Sequence, residues 1–154
     1  MIQANMDPTA ANRGARILVV DDHDDSRTIT RMVLEHAGYQ VSEARTGTEG
    51  LRKALDERPE MVLVDIALPG MDGWEVSRRL RANEATSDAR ILAVTALTGA
   101  DIHERSIRAG CDDLLTKPVH IATLRHAIRS HLTAQRTAKR QMAGQPSTPR
   151  AASA

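Results

Sequence analysis

Aromatic residues and cysteine are nearly absent from this chain. Its 154 residues include one Trp, one Tyr, one Cys and no Phe. The single cysteine, Cys111, excludes an intramolecular disulfide and is typical of a protein kept in a reducing compartment. With so few rings, the core has to consist of Val, Leu, Ile, Ala and Met, and an apolar fraction of 41% is enough for one ordinary domain.

Long hydrophobic runs are missing as well. No stretch approaches the roughly 20 apolar residues of a membrane-spanning helix. The chain does not open with a basic segment followed by an apolar one, as a signal peptide would. We therefore expect a cytoplasmic protein with no membrane partner.

The charge is nearly balanced, at +1, but it is unevenly distributed. Residues 133–154 carry no acidic residue and four basic ones: Arg136, Lys139, Arg140 and Arg150. No aromatic residues are interleaved with these charges, so the nucleic-acid signal is weak and we expect no direct DNA binding. We interpret this stretch as a basic, disordered tail whose first turn alone extends the last helix. Residues 1–14 are polar and aperiodic and are also predicted to be disordered, which leaves 15–132 as the folded domain.

Five short apolar runs alternate with helical patterns along the folded part. They cover residues 16–20, 39–44, 61–65, 91–95 and 114–116. Such alternation with short connections predicts a parallel sheet that helices cover on both faces. Because right-handed crossovers leave few topologies, we expect an α/β, flavodoxin-like, doubly wound sheet of five strands in the order 2-1-3-4-5, with five helices.

The spacing of apolar residues predicts the buried face of each helix. We expect these residues to pack against the sheet: Ile29, Met32, Val33 and Ala37; Leu51, Ala54 and Leu55; Val76 and Leu80; Ile102 and Ile107; and Ile121, Leu124, Ile128 and Leu132. They would complete a core built mainly from aliphatic side chains.

Polar side chains stand where the apolar runs end. Asp21 and Asp22 follow the first run, and Asp65 ends the third. Thr95 ends the fourth run, and Lys117 follows the fifth. The first and third strands are neighbours in the expected order, so these side chains should meet in one crevice at the carboxyl ends of the strands.

The predicted crevice has a definite chemistry. Three carboxylates held together need a counter-ion, and an all-oxygen site suits a hard divalent cation, of which Mg²⁺ is the expected one. Lys117 supplies a positive charge and Thr95 a hydroxyl group, which together can stabilise a phosphoryl group. An aspartate can itself be the nucleophile and form an aspartyl phosphate.

Four motifs occur in order, each at the end of a predicted strand. They are Val19 to Asp22, Val64 to Gly73, Val94 to Leu97 and Gly110 to Pro118. Together they resemble the receiver domain of two-component response regulators, in its stand-alone form, over about residues 15–132. Each motif is weak alone, but their order and spacing make the resemblance specific.

The resemblance implies a role for the carboxylates. Asp65 would accept a phosphoryl group from a histidine kinase or a histidine phosphotransfer protein, and the domain would assist this reaction without being an enzyme. Asp22 and Asp65 would ligate Mg²⁺ directly, Asp21 would do so through water, and the backbone carbonyl of Ala67 would be a further ligand. We interpret His23 as a solvated loop residue and not as a ligand.

The resemblance also assigns the phosphoryl contacts and the switch. Thr95 and Lys117 would contact phosphoryl oxygens, the Lys117–Pro118 peptide would be cis, and the small Ala96 would leave the phosphoryl group accessible. Receivers usually carry Tyr or Phe three residues before the lysine, coupled to Thr95, whereas this chain has Leu114. This departure leaves the phosphate contacts in place but puts the usual aromatic switch in question.

The output of such a domain would be protein–protein contact or phosphorelay to a downstream protein that the sequence does not identify. The sequence leaves monomer and homodimer both open. It also leaves two competing functions. Leu114 motivates a binding module that has lost its switch, in which phosphorylation would not change partner affinity. The segment 22–26 loosely resembles the nucleophile motif of haloacid-dehalogenase-type phosphatases, with Asp24 as the acid–base, but Asp65 would then have no role.

Overall fold

Strands and helices alternate along the folded region. The computed structural model describes residues 12–144. Its elements are β1 (Arg16–Val20), α1 (Asp24–His36), β2 (Gln40–Ala44), α2 (Gly47–Glu57), β3 (Met61–Asp65), α3 (Gly73–Ala82), β4 (Arg90–Thr95), α4 (Ala100–Arg108), β5 (Asp113–Thr116) and α5 (Ile121–Ala143). The predicted number and order of elements are confirmed.

The five strands form one parallel sheet in the order β2-β1-β3-β4-β5, as predicted. β1 and β3 are neighbours, with Val20 in register with Val64. β4 lies on the other side of β3, with Val94 in register with Asp65. All five residues of β3 are buried, since helices cover both faces of the sheet at its centre. The carboxyl ends of the central strands therefore meet at one edge.

Successive residues of the central strands point to opposite faces and into two separate cores. One core combines Leu18 and Val62 with residues of α2, α3 and α4, among them Ala54, Trp74, Val76 and Ile102. The other combines Ile17 and Met61 with residues of α1 and α5, among them Leu34, Leu124, Ile128 and Leu132. The sheet is thus doubly wound, with two helices on one face and three on the other.

The predicted inner face of α1 is partly wrong. Ile29 and Met32 are each 59% exposed, whereas Leu34 is fully buried. Apolar residues of α1 lie on several sides of the helix, and spacing alone does not show which row of residues meets the sheet. The row that does so contains Leu34 and, two turns earlier, the buried Arg27.

Three further residues predicted to be buried are largely exposed: Leu55 at 42%, Ile107 at 56% and Ile121 at 54%. Leu55 and Ile107 each follow a buried residue, Ala54 and Ser106 respectively. They lie at the margin of the buried stripe, which is narrow on a helix that packs on only one side. Ile121 is the first residue of α5 and lies beyond the part of the helix that covers the sheet.

The last helix is longer than predicted. α5 continues through residues 133–143, which the sequence predicts as part of a disordered tail. Gln135 is 4% exposed, and its Nε2 donates to the carbonyl oxygens of Glu60, at 3.2 Å, and Asp88, at 2.8 Å. These bonds fix the extension against the loops before β3 and β4. Composition does not reveal such long-range contacts.

The structure also differs from the prediction at the C-terminal end of the predicted N-terminal tail. Asn12 is buried, and its Nδ2 donates to Oγ1 of Thr133 at 3.2 Å. Residues 1–11 and 145–154, the remainder of the two predicted tails, lie outside the described residues. Within the described part, no helix combines the length and hydropathy needed to cross a membrane.

Candidate functional site

The acidic loop after β1 is held by hydrogen bonds on two sides. Asp21 is 6% exposed, and its Oδ1 accepts the backbone N–H of His23 at 2.9 Å. From the other side, the guanidinium of Arg27 donates to the carbonyl oxygen of Asp21 at 2.8 Å. Arg27 is itself buried and also pairs with Asp24 and Glu43. The loop backbone is therefore fixed where the carboxylates begin.

Asp65, the last residue of β3, is 5% exposed. Its Oδ1 accepts the backbone N–H of Ala67 at 2.9 Å. The loop then folds back, and the N–H of Gly73 donates to the carbonyl oxygen of Ile66 at 3.0 Å. A Cβ on Gly73 would stand 2.4 Å from the backbone oxygen of Asp65, so the close approach requires glycine. This return of the chain fixes the direction of the Asp65 side chain.

Lys117 bridges the two acidic loops. Its Nζ lies 2.9 Å from Oδ2 of Asp65 and 3.3 Å from Oδ2 of Asp21. Burial disfavours the charged amine, but the hydrogen bond and charge of Asp65, together with Asp21, outweigh burial and raise the pKa of Lys117. Burial also disfavours the Asp21 carboxylate, yet the N–H of His23, further hydrogen bonds and the charge of Lys117 lower the pKa of Asp21. The Lys117–Pro118 peptide is cis, as expected.

Thr95 ends β4 and is completely buried. Its Oγ1 accepts the backbone N–H of Leu97 at 3.1 Å. Its carbonyl oxygen accepts the N–H of Lys117 at 2.8 Å, which joins the ends of β4 and β5. The hydroxyl group of Thr95 and the amine of Lys117 thus belong to neighbouring strand ends tied through the backbone.

Four potential metal-binding side chains lie together at this edge. One ligand atom from each of Asp21, Asp22, His23 and Asp65 lies within 4.8 Å of all the others. Oδ1 of Asp22 is buried and has no hydrogen-bond partner among the described residues, and coordination to a cation would satisfy it. The carboxylates fit Mg²⁺, which prefers oxygen ligands. Ala67, whose backbone carbonyl is the further predicted ligand, lies two residues after Asp65 and is exposed.

Leu114 lies on β5 in register with Ala93 and packs, half-buried, against the core on the side of α3 and α4. Unlike the Tyr that receivers often carry here, Leu114 has no hydroxyl group that could exchange hydrogen-bond partners. The indole of Trp74, in α3, belongs to the same core. Its Nε1 donates to Oγ of Ser106 at 3.0 Å, and the guanidinium of Arg105 lies 3.7 Å from the ring centroid. The aromatic side chain that contacts α4 is therefore Trp74 of α3, and position 114 on β5 contributes none.

An apolar groove of about 570 Å³ opens beside Asp65, between α1 and α5. Its walls include Ile29 and Val33 of α1, together with Pro118 and Ile121 at the start of α5. Ile29 and Ile121 are more than half exposed. Two residues that the sequence predicts as core therefore face an open surface next to the carboxylate.

Comparison with known proteins gives one consistent family. The family model for the response regulator receiver domain matches residues 17–129. The chain is 39% identical over 132 residues to response regulator GacA of Pseudomonas viridiflava, covering 84% of this chain and 61% of GacA. It is 35% identical over 117 residues to the DNA-binding dual master transcriptional regulator RpaA of Synechocystis, covering 76% of this chain and 48% of RpaA. The chain thus spans about half of RpaA and three fifths of GacA.

Solved structures share both the fold and the family. A CheY-like response regulator receiver domain protein from Methanospirillum hungatei superposes with a TM-score of 0.76 at 32% identity, covering 80% of this chain and 98% of that protein. The receiver domain of sensor histidine kinase PA1611 from Pseudomonas aeruginosa, solved with a magnesium ion coordinated in its active-site cleft, gives 0.73 at 31% identity, covering 78% and 98%. The fold, the strand-end site and the family match agree, and this chain belongs to the response regulator receiver domains of two-component signal transduction, a family of signalling phosphoacceptors.

Proposed function

We propose that this chain signals by accepting a phosphoryl group on Asp65 from a histidine kinase or a histidine phosphotransfer protein. The observation that supports this most is the amine of Lys117, which lies within 3.3 Å of both Asp65 and Asp21. In the transfer, a carboxylate oxygen of Asp65 bonds to phosphorus while the P–N bond of the phosphohistidine breaks, and its electron pair returns to the imidazole.

Lys117 and Thr95 are proposed to receive the oxygens of the transferred group. The Lys117 ammonium would exchange part of its contact with Asp65 for a phosphoryl oxygen. Oγ1 of Thr95 accepts a backbone N–H, and its own hydrogen is therefore available for donation to a phosphoryl oxygen. The following residue, Ala96, is small and exposed, which leaves room for the group.

We propose Mg²⁺ as the cofactor of this site. Asp22 and Asp65 would hold it directly, Asp21 through a water molecule, and Ala67 through its backbone carbonyl. The unpartnered Oδ1 of Asp22 supports this assignment. When bound, Mg²⁺ would offset the repulsion between the carboxylates and the incoming phosphoryl oxygens.

The phosphoryl donor is proposed to dock on the groove between α1 and α5. Ile29 and Ile121 are exposed there and lie beside Asp65, so an apolar helix face of the donor would bury them while presenting its phosphohistidine to the carboxylate. Output would pass to a downstream protein by protein–protein contact or phosphorelay. This proposal places the domain in the cytoplasm, with neither a membrane nor DNA as a direct partner.

The competing functions have less support. A phosphatase would need Asp24 as an acid–base, but its carboxylate pairs with Arg27 and Arg45. The same reaction would leave Asp65 without a role. A binding module without a switch rests on Leu114 alone, and the family comparison supports neither alternative.

Intact-mass measurement after incubation with acetyl phosphate and Mg²⁺ tests the acceptor. We expect the wild-type chain to gain the mass of one phosphoryl group, and Asp65→Asn to gain none. EDTA should abolish the gain. Asp72→Asn is the matched control: Oδ1 of Asp72 accepts the N–H of Glu75 and caps α3, so the change should leave phosphorylation intact. Phosphorylation of Asp65→Asn, or no gain in any protein, would contradict the proposal.

A further inference from the structure

We infer that His23 is a further metal ligand of this site and shifts its ion preference toward divalent transition metals. The inference rests on the proposed metal site and extends it by one residue. The imidazole of His23 lies next to the carboxylates but has no role in the oxygen-only ligand set of Asp21, Asp22 and Asp65.

The distances around the imidazole suit joint coordination. Nδ1 of His23 lies 3.2 Å from Oδ1 of Asp22 and 3.4 Å from Oδ1 of Asp21. With metal–ligand bonds of about 2.1 Å, adjacent ligands of an octahedron are about 3.0 Å apart and opposite ones about 4.2 Å. The group of four, including Asp65, spans at most 4.8 Å. The ring nitrogen therefore lies close enough to Asp22 to join it and Asp65 on one ion with little movement, while Asp21 remains a ligand through water.

The Asp22 oxygen that lies 3.2 Å from Nδ1 of His23 is the one without a hydrogen bond among the described residues. Oδ1 of Asp22 is buried and accepts no hydrogen bond among the described residues. Other oxygens of the cluster are already engaged: Oδ2 of Asp21 and of Asp65 by Lys117, and Oδ1 of Asp65 by the N–H of Ala67. A cation between Asp22 and His23 would satisfy the unpartnered oxygen and the ring nitrogen together.

The local backbone leaves the ring available for this role. His23 occupies the N-cap position of α1, but its side chain makes no capping hydrogen bond. Its backbone N–H is fixed to Asp21, and the loop below is fixed by Arg27. The ring itself is 69% exposed and can adjust by side-chain rotation. The cost of bringing Nδ1 onto an ion is thus confined to one side chain.

The chemistry of the ligands then determines which ions bind more tightly when His23 joins the site. Mg²⁺ prefers oxygen and keeps several waters, so an added imidazole contributes little to its binding. Imidazole suits Ni²⁺, Zn²⁺, Fe²⁺ and Cu²⁺, which bind N/O sites more tightly in general. His23 should therefore leave Mg²⁺ affinity nearly unchanged while raising the affinity for Ni²⁺, and for Mn²⁺ to a smaller degree.

Calorimetric titration of the full chain with Mg²⁺ and Ni²⁺ tests this preference. In His23→Asn we expect the Ni²⁺ Kd to rise on the order of tenfold, a size that metal-site partners commonly show, with little change for Mg²⁺. His36→Asn is the matched control, because His36 lies on the same helix at its other end. The direct signature is nitrogen modulation in the electron spin-echo signal of bound Mn²⁺, present in wild type and His36→Asn and lost in His23→Asn.

The outcomes separate this inference from the proposed function. An unchanged ratio of Ni²⁺ to Mg²⁺ affinity in His23→Asn, with Mg²⁺ still bound, would overturn the role of His23 and leave the receiver chemistry intact. An equal loss of Ni²⁺ affinity in His36→Asn would show adventitious surface binding and also overturn it. Failure of the wild-type chain to bind either ion would overturn both this inference and the proposed Mg²⁺ site.

Discussion

A buried guanidinium lies directly behind the acidic loop. Arg27 is 5% exposed, and its donors are shared among the carbonyl oxygen of Asp21, the carboxylate of Asp24 and that of Glu43. Taking such a charge out of water is unfavourable unless its donors are paired. Because one of them holds the backbone of Asp21, we regard Arg27 as a positioning residue for the loop.

Replacing Arg27 by Met should loosen this loop. We expect Mg²⁺ affinity to fall about tenfold, as for partners that orient metal ligands. The free energy of unfolding should fall by about 2 kcal/mol, because the Asp21 carbonyl loses its donor. Calorimetry and chemical denaturation measure the two quantities. The control is Arg31→Met: Arg31 pairs with Glu35 and Glu43, and Mg²⁺ affinity should not change. Equal losses of affinity in both variants would count against the positioning role.

Gly73 gives a second prediction at this scale. Gly73→Ala should reduce both stability and phosphorylation of Asp65, because the new Cβ would meet the backbone of Asp65 and Ile66 at 2.4 and 2.7 Å. The contrasting variant is Gly70→Ala. Gly70 has φ +77°, and no atom of residues 12–144 lies within 4 Å of the place its Cβ would take, so this change should cost about 1 kcal/mol of backbone strain without affecting Asp65. Acetyl phosphate labelling rates decide between them, and equal rates would contradict the close-approach argument.

The sequence predicts the position of those site residues that stand at the ends of strands. Asp21, Asp65 and Lys117 each stand at the end of an apolar run, so topology alone brings them together. The burial of Arg27 is not predicted by the sequence, because a basic residue in a helix is usually exposed to solvent. The sequence feature that indicates this burial is the position of Arg27 two turns before Leu34, on the row of α1 that packs against the sheet. The contact of His23 with the carboxylates depends on loop geometry, which spacing does not describe.

For individual helices, the sequence predicts the buried side and the end point least well. Helical spacing correctly places α1 and α5, but not the side of α1 that is buried, since the apolar residues Ile29 and Leu34 lie about 140° apart around the helix. The end of α5 depends on contacts more than seventy residues away, such as that of Gln135 with Glu60. Local patterns carry no information about those contacts.

Gln135→Ala should destabilise the domain through the extension of α5. The carbonyl oxygens of Glu60 and Asp88 would lose their side-chain donor, and we expect the free energy of unfolding to fall by about 2 kcal/mol. Gln141→Ala, on the exposed end of the same helix, should have almost no effect. Urea denaturation of the two variants provides the measurement. Equal stabilities would mean that the extension does not contribute to folding.

At the scale of the whole molecule, the alternation of strands and helices is sufficient to predict the fold. Five short strands joined by helices through short connections favour a parallel sheet covered on both faces, and right-handed crossovers leave few strand orders, among them the observed one. The same topology collects the acidic loops and Lys117 at one edge. The molecule therefore combines, at one edge of the sheet, the carboxylates that we propose to be the phosphorylation site with an apolar groove beside them.

We propose that this edge is phosphorylated at one residue, Asp65. Borohydride reduction of the phosphorylated chain converts an aspartyl phosphate into homoserine, and peptide mass spectrometry then locates the modified position. We expect homoserine at position 65 and at no other aspartate. Homoserine in place of Asp21, Asp22 or Asp24, with Asp65 unmodified, would contradict it.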